Sequence, residues 1–406
     1  MAESVNQREF DNFRTAITDP DWFFGRRDLL DNIVFASSPQ VHILLGGRRI
    51  GKTSLLRAIE WNMFDTRSQA GRRSFPVFIS LDVEQPRSLD NFRYVLMRRL
   101  RDAIDRWRHA AGSTLRALYR SYLSQVASAE VSLGSLLRLK VVNPDADRTL
   151  GHDDFREALI NTITVVCDLG FDGVLFLLDE ADYIVRTPWA NHAWSYLRGL
   201  KDTDMAIKPF LGVILSGYRD LKEYEQRVGS PLLNISDIRW LGCLKNDEVT
   251  ALLSHRFRNE SYQLTDGDVD VVFTLTGGHP FLVQQVANAI IDRRDTPIVD
   301  AKLRARIVRR TEIDGTFSSW WNEKGKSDGF GPAERSVYRA LVDLRSADED
   351  LLARHCGLSV SSCVDALVVL AGTGVIRSDG DDRYEVGGQL FEDWTRRLVE
   401  PLAVAD

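Results

Sequence analysis

The sequence contains little that would suit a secreted or membrane-embedded protein. Only four of its 406 residues are cysteines, and they are scattered without the spacing of metal ligands, so we expect reduced thiols in the cytoplasm. No apolar run reaches the roughly 18 residues that a membrane helix needs. Asn6, Arg8 and Glu9 interrupt the start of the chain, which argues against a secretory signal. We therefore expect a cytoplasmic protein that has no membrane partner.

An excess of positive charge is also missing, since 52 basic residues face 58 acidic ones. The imbalance is local: Gly331 to Asp406 hold 8 basic and 14 acidic residues, and the rest of the chain holds 44 of each. The hydrophobic share of 44% is that of an ordinary globular protein, and the length predicts two to four domains. The C-terminal part is therefore acidic on an otherwise neutral chain, which bears on its partners.

A glycine-rich turn joins an apolar strand at 41–44 to an amphipathic helix. It fits the phosphate-loop pattern G-x-x-x-x-G-K-[ST], in which backbone N–H groups and the helix N-terminus bind phosphate. A lysine there reaches the β- and γ-phosphates, and the next hydroxyl completes a magnesium shell. The alternative is a chance glycine turn, which the flanking strand and helix disfavour. The predicted nucleotide-binding residues of this loop are Gly46, Gly47, Gly51, Lys52, Thr53 and Ser54.

A second signature is the continuous apolar strand from Gly173 that ends in Asp179 and Glu180. Such a strand is buried on both faces, as in a parallel sheet. Asp179 is predicted to hold Mg²⁺ through its water shell, and Glu180 to orient and activate the attacking water. The alternative is a pair of acids that cap a neighbouring helix, and the preceding phosphate loop favours catalysis.

Further strands are predicted at 76–82, 209–220 and 238–241, alternating with helices. This alternation predicts an α/β, three-layer sandwich with a parallel sheet. The strand at 209–220 ends in a polar group, Ser216, and a cation, Arg219. Either could sense the γ-phosphate or the attacking water, and the alternative is an ordinary strand-to-helix turn.

Two turns outside this core are candidates for contact with a nucleotide base. The turn at Gly25 and Arg26 either folds over a base or simply starts a helix. From Lys245 the pattern changes to helices without strands, predicted at Asn246–Phe257, Asp266–Leu275, Pro280–Ile291 and Ala301–Arg310. The second and third of these are separated by Thr-Gly-Gly-His-Pro. In that turn Pro280 suits the first position of a helix, and Gly278 permits close backbone approach. The alternative is a helix–helix turn.

One helical stretch, from Leu89 to about Val126, is rich in arginine. It is either a basic patch for nucleic acid or the solvated face of an amphipathic helix, and helical spacing of its apolar residues favours the second. After it, residues 127–142 predict a hairpin or an extra strand.

The last part of the chain begins after a flexible linker at 322–331. Three predicted helices, a short two-stranded hairpin and a final helix describe a winged helix. The predicted segments are Pro332–Leu344, Asp348–His355, Ser359–Leu370, a hairpin at 375–386, and Gln389–Val399. The predicted domains are 1–241 for the nucleotide-binding α/β domain, 242–315 for a helical lid, and 316–406 for the linker and winged helix.

Together these segments resemble the STAND class of P-loop ATPases, an AAA-like group, and most closely its archaeal-ATPase-like branch, a relative of the NB-ARC and origin-recognition ATPases. The resemblance covers nearly the whole chain. Its motifs are the Phe-x-Gly-Arg turn, GRRIGKTSLL, LLDEAD, a Ser-Pro-Leu segment, LGCLKNDEV and TGGHPFLVQ. It implies a P-loop NTPase (AAA+/STAND-like) sandwich with a helical lid and a C-terminal winged helix.

The resemblance also implies roles for single residues. Pro280 and its neighbour Gly278 would line the adenine and ribose, and Gly25 with Arg26 would close over the base from the other side. Arg219 corresponds to the first sensor arginine of the NB-ARC proteins, and Ser216 is a rival for that role. The implied cofactors are ATP or ADP and Mg²⁺.

The resemblance implies a slow ATPase that works as a nucleotide-dependent switch. We expect it to act through a separately encoded protein partner or by self-assembly, in bacterial signalling or defence. One alternative is an origin-recognition-like, DNA-binding ATPase. The predicted recognition helix, Ser359–Leu370, holds no lysine or arginine in an acidic domain, which disfavours contact with phosphates. Another alternative is a nucleotide-binding scaffold that does not hydrolyse ATP.

Overall fold

The structure of the chain is a computed structural model. It describes residues 15–36, 40–65, 73–109, 148–228, 232–258, 264–291, 311–321, 329–378, 380 and 382–399. Several predicted features lie outside these residues: the arginine-rich stretch beyond His109, the hairpin or extra strand at 127–142, the helix at 301–310 and most of the linker at 322–331.

The chain divides into two compact units. The sheet unit contains Thr18–Leu45 and Lys52–Arg239. The C-terminal unit contains Gly46–Gly51 and the chain from Trp240 onward, with residues 15–17. The predicted domain boundaries after residues 241 and 315 stay a prediction.

The sheet unit is built on five strands in the order β2-β3-β4-β1-β5. The neighbours β2 and β3, β3 and β4, and β4 and β1 run parallel, so the predicted parallel α/β fold is confirmed. The strands are β1 (Val41–Leu45), β2 (Ser74–Ser80), β3 (Gly173–Asp179), β4 (Leu211–Gly217) and β5 (Asp237–Trp240).

The three central strands β1, β3 and β4 are buried at every residue. Because successive side chains point to opposite faces, complete burial means that both faces of the sheet are covered. The helices of this unit are α1 (Arg27–Val34), α2 (Lys52–Phe64), α3 (Leu81–Glu84), α4 (Leu89–His109), α5 (His152–Asp168), α6 (Asp182–Val185), α7 (Ala190–Asp202) and α8 (Arg219–Val228).

Two predicted strands end earlier than expected. The second ends at Ser80, whose hydroxyl accepts a hydrogen bond from the Val83 N–H and so starts α3. The fourth ends at Gly217, and Arg219 is the first residue of α8 rather than part of the strand. In both cases a side-chain cap that strand periodicity does not reveal stops the strand.

The described part of the arginine-rich stretch is an amphipathic helix. Leu96, Leu100 and Ile104 of α4 are buried, as their spacing predicts. On other faces, Arg98 and Arg99 both pair with the buried carboxylate of Glu84 on α3. These two arginines therefore have a structural role, because a buried carboxylate requires charged partners.

The C-terminal unit is helical with one small sheet. Its helices are α9 (Asn246–Phe257), α10 (Asp266–Thr276), α11 (Pro280–Ile291), α12 (Thr311–Trp321), α13 (Pro332–Leu344), α14 (Glu349–Cys356), α15 (Val360–Thr373) and α16 (Gln389–Val399). Its strands are β6 (Ser346–Asp348), β7 (Ile376–Ser378) and β8 (Arg383–Val386). Four of these helices have the predicted bounds: α9, α11, α13 and α16.

The small sheet has three strands in the order β6-β8-β7, both pairs antiparallel. The predicted hairpin at 375–386 is present as β7 and β8, but a third strand was missed: Ala347 in the turn between α13 and α14 pairs with Tyr384 of β8. Three residues are too few to show strand alternation in a sequence. The winged-helix assignment of this region stays a prediction.

The core of the C-terminal unit is aromatic. The Phe391 ring on α16 lies 5.0 to 6.3 Å, between centroids, from six other aromatic rings. Those partners come from α12, α13, α16 and Phe330, two residues before α13, so this one ring joins helices that are distant in sequence. The six partners are Phe317, Trp320, Trp321, Phe330, Tyr338 and Trp394.

No single helix within the described ranges is long and apolar enough to cross a membrane. One bent pair, Glu349–Cys356 with Val360–Thr373, meets the criteria of length and composition when its two helices are taken together.

Phe391→Ala should lower the free energy of unfolding of the C-terminal unit by about 3–5 kcal/mol, because it leaves a cavity at the centre of the aromatic cluster. The change can be measured by urea unfolding followed through tryptophan fluorescence. Leu398→Ala is the matched control on the same helix, since Leu398 is 51% exposed and should cost little. Equal losses for the two variants would contradict the central place of Phe391.

Candidate functional site

The carboxyl ends of β2, β3 and β4 meet at one edge of the parallel sheet, and Asp179 is the hub of this edge. One oxygen of its buried carboxylate accepts a hydrogen bond from Thr53 Oγ1 at 2.6 Å. The other accepts from Ser216 Oγ and from the Glu180 N–H. The first turn of α2 and the ends of β3 and β4 are thereby joined, and the candidate residues Thr53, Asp179 and Ser216 lie together.

The oxygen atoms around Asp179 suit a magnesium ion. Mg²⁺ prefers oxygen ligands, and it is commonly held by one or two carboxylates together with waters and substrate phosphates. The Thr53 hydroxyl and the Asp179 carboxylate supply such oxygens side by side. No group of three or more histidine, cysteine or acidic side chains that could hold a metal occurs among the described residues. The donor set therefore fits an ion whose shell is completed by phosphate and water.

Glu180 is the next residue, and its backbone is unusual. Its φ of 59° lies in the left-handed region, which is uncommon for a residue with a side chain and is typical of functional sites. Ser80 Oγ donates a hydrogen bond to Glu180 Oε2 at 2.9 Å. Desolvation, followed by repulsion from Asp179, raises the pKa of Glu180 to about 6. Ser80 thus orients the carboxylate of Glu180, which is an exposed residue.

Ser80 was missed by the sequence analysis. It pairs with Asp179 in the register of β2 and β3, so both strands end at the same level. A polar residue that closes an apolar strand was the available signal. That signal was hidden because the predicted strand continued to residue 82.

Lys52 begins α2, and its charge acts on two carboxyl groups of this edge. It opposes the upward shift in the pKa of Glu180 and of Asp182. The next residues of the helix, Thr53 and Ser54, are half-buried and buried. The sheet unit therefore brings a lysine, two hydroxyls and the acids of β3 to one place.

Asp182 and Arg219 complete this part of the site. The half-buried Asp182 carboxylate accepts hydrogen bonds from the N–H groups of Tyr218 at 2.8 Å and Leu221 at 2.9 Å. Arg219, between those two residues, lies 3.3 Å from the Glu223 carboxylate. The sequence analysis gave no role to Asp182, although its motif contains a third acid.

The turn at Gly25 and Arg26 is tight, with φ angles of 83° and 58°. Arg26 is the N-cap residue of α1. Just before the turn, the Phe23 ring packs edge-on against Trp61 of α2 at 5.7 Å between centroids. The turn is therefore anchored on the helix that follows the phosphate loop, and its contact with a base stays a prediction.

The phosphate-loop residues 46–51 contact the end of α15 within the C-terminal unit. The Gly47 N–H donates a hydrogen bond to the Gly372 carbonyl at 2.8 Å. A Cβ added to Gly47 would lie 2.7 Å from Thr373 Cα, so this approach requires glycine. Arg49, with φ of 64°, places its guanidinium 4.2 Å from the centroid of the Phe281 ring on α11. The loop thus touches both α11 and α15.

The Thr-Gly-Gly-His-Pro turn uses its glycines for close backbone approach, as predicted. A Cβ on Gly278 would lie 2.1 Å from the Leu244 carbonyl oxygen, and the Leu244 N–H donates to the Gly278 carbonyl at 2.9 Å. On Gly277 a Cβ would lie 2.3 Å from the Gly387 carbonyl oxygen. Pro280 is the first residue of α11, as expected. The partners of both glycines are the chain's own backbone, and nucleotide contact by Gly278 and Pro280 stays a prediction.

Comparison with known proteins supports the fold. No protein-family model and no curated protein matches the chain. Among solved structures, the Walker-type ATPase PABY2304 of Pyrococcus abyssi is similar over 94% of this chain and 98% of its own, with a TM-score of 0.56 and 15% identity.

Two further similar structures have lower scores. The ORC2 protein of Aeropyrum pernix, in ADPNP–ADP complexes, matches over 92% of this chain and 93% of its own at 11% identity, with a TM-score of 0.46. CDC6P of Pyrobaculum aerophilum matches over 95% and 96% at 12% identity, with a TM-score of 0.42. Both of these scores lie below 0.5, so the fold comparison rests on the Pyrococcus structure. At such low identity the Pyrococcus match shows the P-loop ATPase fold and nothing finer.

Asp179→Asn should weaken magnesium-dependent nucleotide binding by about tenfold or more, because an amide is a poorer ligand for Mg²⁺ than a carboxylate. Titration with ATP in the presence of Mg²⁺ and in the presence of EDTA separates this effect from a general loss of affinity. Asp172→Asn is the control, because Asp172 lies just before the opposite end of β3. An equal magnesium-dependent gain in affinity in Asp179→Asn and the wild type would remove Asp179 from the ion site.

Proposed function

We propose that this protein is a magnesium-dependent ATPase that works as a nucleotide-dependent switch of the STAND class. One observation carries the enzymatic part: Thr53, Asp179 and Glu180 converge at the sheet edge where α2 begins with Lys52. A cation, a magnesium-type donor set and a separate carboxylate are the groups that phosphoryl transfer to water requires.

In this proposal each residue has one task. Lys52 binds the phosphates and offsets their charge, and Thr53 with Asp179 holds Mg²⁺, which when bound neutralises charge on the phosphates. Glu180 orients the attacking water and accepts its proton. A pKa of about 6 suits that task, because the carboxylate is ionised at neutral pH yet more basic than an ordinary glutamate. Ser80 keeps Glu180 on the β2 side of the edge.

The switch is supported by the contacts of residues 46–51. The segment expected to bind phosphates donates a backbone hydrogen bond to the last turn of α15 and contacts the first turn of α11 through Arg49. A loop that is held in this way transmits a change in its own conformation to both helices. We propose that ATP and ADP differ in this contact, and that the exposed surface altered by it is read by a separate protein or by another copy of the chain.

Binding of DNA through α15 has less support. The helix holds no lysine or arginine. In its middle, the side chains of Cys363, Ala366 and Leu367 are buried in the core. Its last turn is occupied by the Gly47 contact and by Trp240, whose ring a Cβ on Gly372 would strike. The helix therefore lacks the cations that contact with a duplex needs, and its last turn is covered.

Lys52→Ala should abolish ATP binding, whereas Glu180→Gln should keep binding and lower turnover by about 10²–10⁴-fold, since it removes the general base alone. Binding is measured with a fluorescent ATP analogue and turnover by phosphate release. Lys208→Ala, on an exposed surface, is the control.

Normal ATP binding by Lys52→Ala would overturn the assignment of the site. If Glu180→Gln hydrolysed ATP at the wild-type rate, Glu180 would have no part in catalysis. A wild-type protein that binds ATP with no turnover at all would instead support the non-hydrolysing scaffold.

Gly47→Ala should release the end of α15 from the loop, because the added methyl group would meet Thr373. We expect amide hydrogen exchange in residues 366–373 to become several-fold faster without nucleotide, and the wild type to approach that rate with a slow ATP analogue but not with ADP. Gly315→Ala is the control in the same unit, since a Cβ there meets nothing within 4 Å. Identical exchange in the ADP and ATP-analogue forms of the wild type would contradict the switch.

A further inference from the structure

The proposed mechanism leaves one acid of the Leu-Asp-Glu-Ala-Asp sequence without a task. Asp182 opens the short helix α6 and is half-buried, and no basic side chain among the described residues of the sheet unit donates a hydrogen bond to it. Burial raises the pKa of this group, and two backbone N–H groups oppose that shift. A carboxylate whose hydrogen bonds come from backbone N–H groups indicates a structural task at a defined position.

Those two N–H groups belong to the start of α8. Since α8 begins at Arg219, Tyr218 is at its N-cap position and Leu221 at its third position. The first N–H groups of a helix have no partner inside the helix, and the side chain of the N-cap residue usually supplies one. A tyrosine side chain does not cap in this way. Asp182 supplies the missing acceptors from a different strand-end, at 2.8 and 2.9 Å, and its charge suits the helix N-terminus.

Other contacts join the same two segments. The Ala181 N–H donates to the Ser216 carbonyl at 2.8 Å, and Arg186 pairs with Asp220. A Cβ on Gly217 would lie 2.8 Å from Asp182 Oδ2, so the carboxylate reaches its partners only past a glycine. The end of β3 and the turn after β4 are therefore one rigid piece, and Asp182 is its centre.

That rigid piece carries both sensor candidates. Ser216, at its start, donates to Asp179, and Arg219 lies between the two N–H groups that Asp182 holds. The Arg219 side chain is only 16% exposed and lies beside Glu223. Its direction is therefore set by the first turn of α8, whose position depends on Asp182.

We propose that Asp182 is a positioning residue that sets how the protein distinguishes ATP from ADP, by fixing the turn from Ser216 to Leu221 that carries Arg219. The proposal rests on the ATPase function proposed above and adds the means by which the γ-phosphate is recognised. In this proposal Asp182 acts through Arg219 and not on the nucleotide itself.

The experiment compares dissociation constants for ADP and for a slow ATP analogue in the full chain. Asp182→Asn keeps the size of the side chain but turns an amide N–H toward one of the two backbone N–H groups, so one hydrogen bond is lost. Asp182→Asn and Arg219→Ala should each reduce the preference for the ATP analogue by about tenfold, within the range of ordinary coupling energies. The double variant should lose no more of this preference than Arg219→Ala alone, because both changes disrupt the same recognition of the γ-phosphate.

Asp204→Asn is the matched control. Asp204 also accepts a backbone N–H, from Ala206, and pairs with Arg156 in a turn away from this edge. Asp204→Asn should lower the free energy of unfolding without changing the ratio of the dissociation constants for ADP and the ATP analogue. In Asp182→Asn the KM for ATP should rise, whereas a general loss of folded protein would lower only the apparent kcat.

Gly217→Ala provides a second route if Asp182→Asn folds poorly, since its methyl group displaces the chemically intact carboxylate and should lower the same preference. A wild type that binds neither nucleotide overturns the ATPase proposal and this inference together. A wild type that prefers the ATP analogue, with the same ratio in Asp182→Asn and Gly217→Ala, overturns this inference alone. Additive losses in the double variant also overturn it, because Asp182 would then act independently of Arg219.

Discussion

The buried carboxylate of Asp179 is the constraint on which the sheet unit's site depends. A charge at this depth is tolerated only when its oxygens are fully engaged, and here they accept from Thr53, Ser216 and the Glu180 N–H. Those three donors come from the helix after the phosphate loop and from two strand ends. Satisfying one charge thus aligns the elements that carry the candidate chemistry. The positions of Glu180 and Asp182, the next acids along the chain, follow from this alignment.

The C-terminal unit depends on a different constraint, the close approach of backbones at glycine. Gly47 lies against Thr373, Gly277 against Gly387, and Gly278 against Leu244. A methyl group at any of these positions would overlap a neighbouring atom, so the residues of the phosphate loop, the turn before α11 and the end of α15 keep one mutual arrangement. Such a set of close backbone contacts suits a switch. The contacts are either formed or broken, and few intermediate arrangements are possible.

Much of the fold follows from local patterns. Continuous apolar runs give the buried strands, and helical spacing with proline or glycine at the ends gives helices such as Pro280–Ile291 and Pro332–Leu344 with their observed bounds. The predictions were wrong where a residue distant in the sequence determines where an element ends or whether it forms. The strand before α8 ends because Asp182 caps the helix from another segment, and β6 exists only because β8 pairs with it. Neither partner is visible within a local window.

By itself, the sequence determined which residues could bind a nucleotide, because the phosphate-loop pattern and the strand ending in Asp179 and Glu180 are local and chemically specific. Tertiary structure alone decided that Ser80 holds Glu180, that Asp182 caps α8 and that Gly47 bonds to Gly372. Each of these contacts joins residues that lie between 36 and 325 positions apart. Their existence depends on how the strands are ordered and how the helices return to them, which no spacing within a single segment encodes.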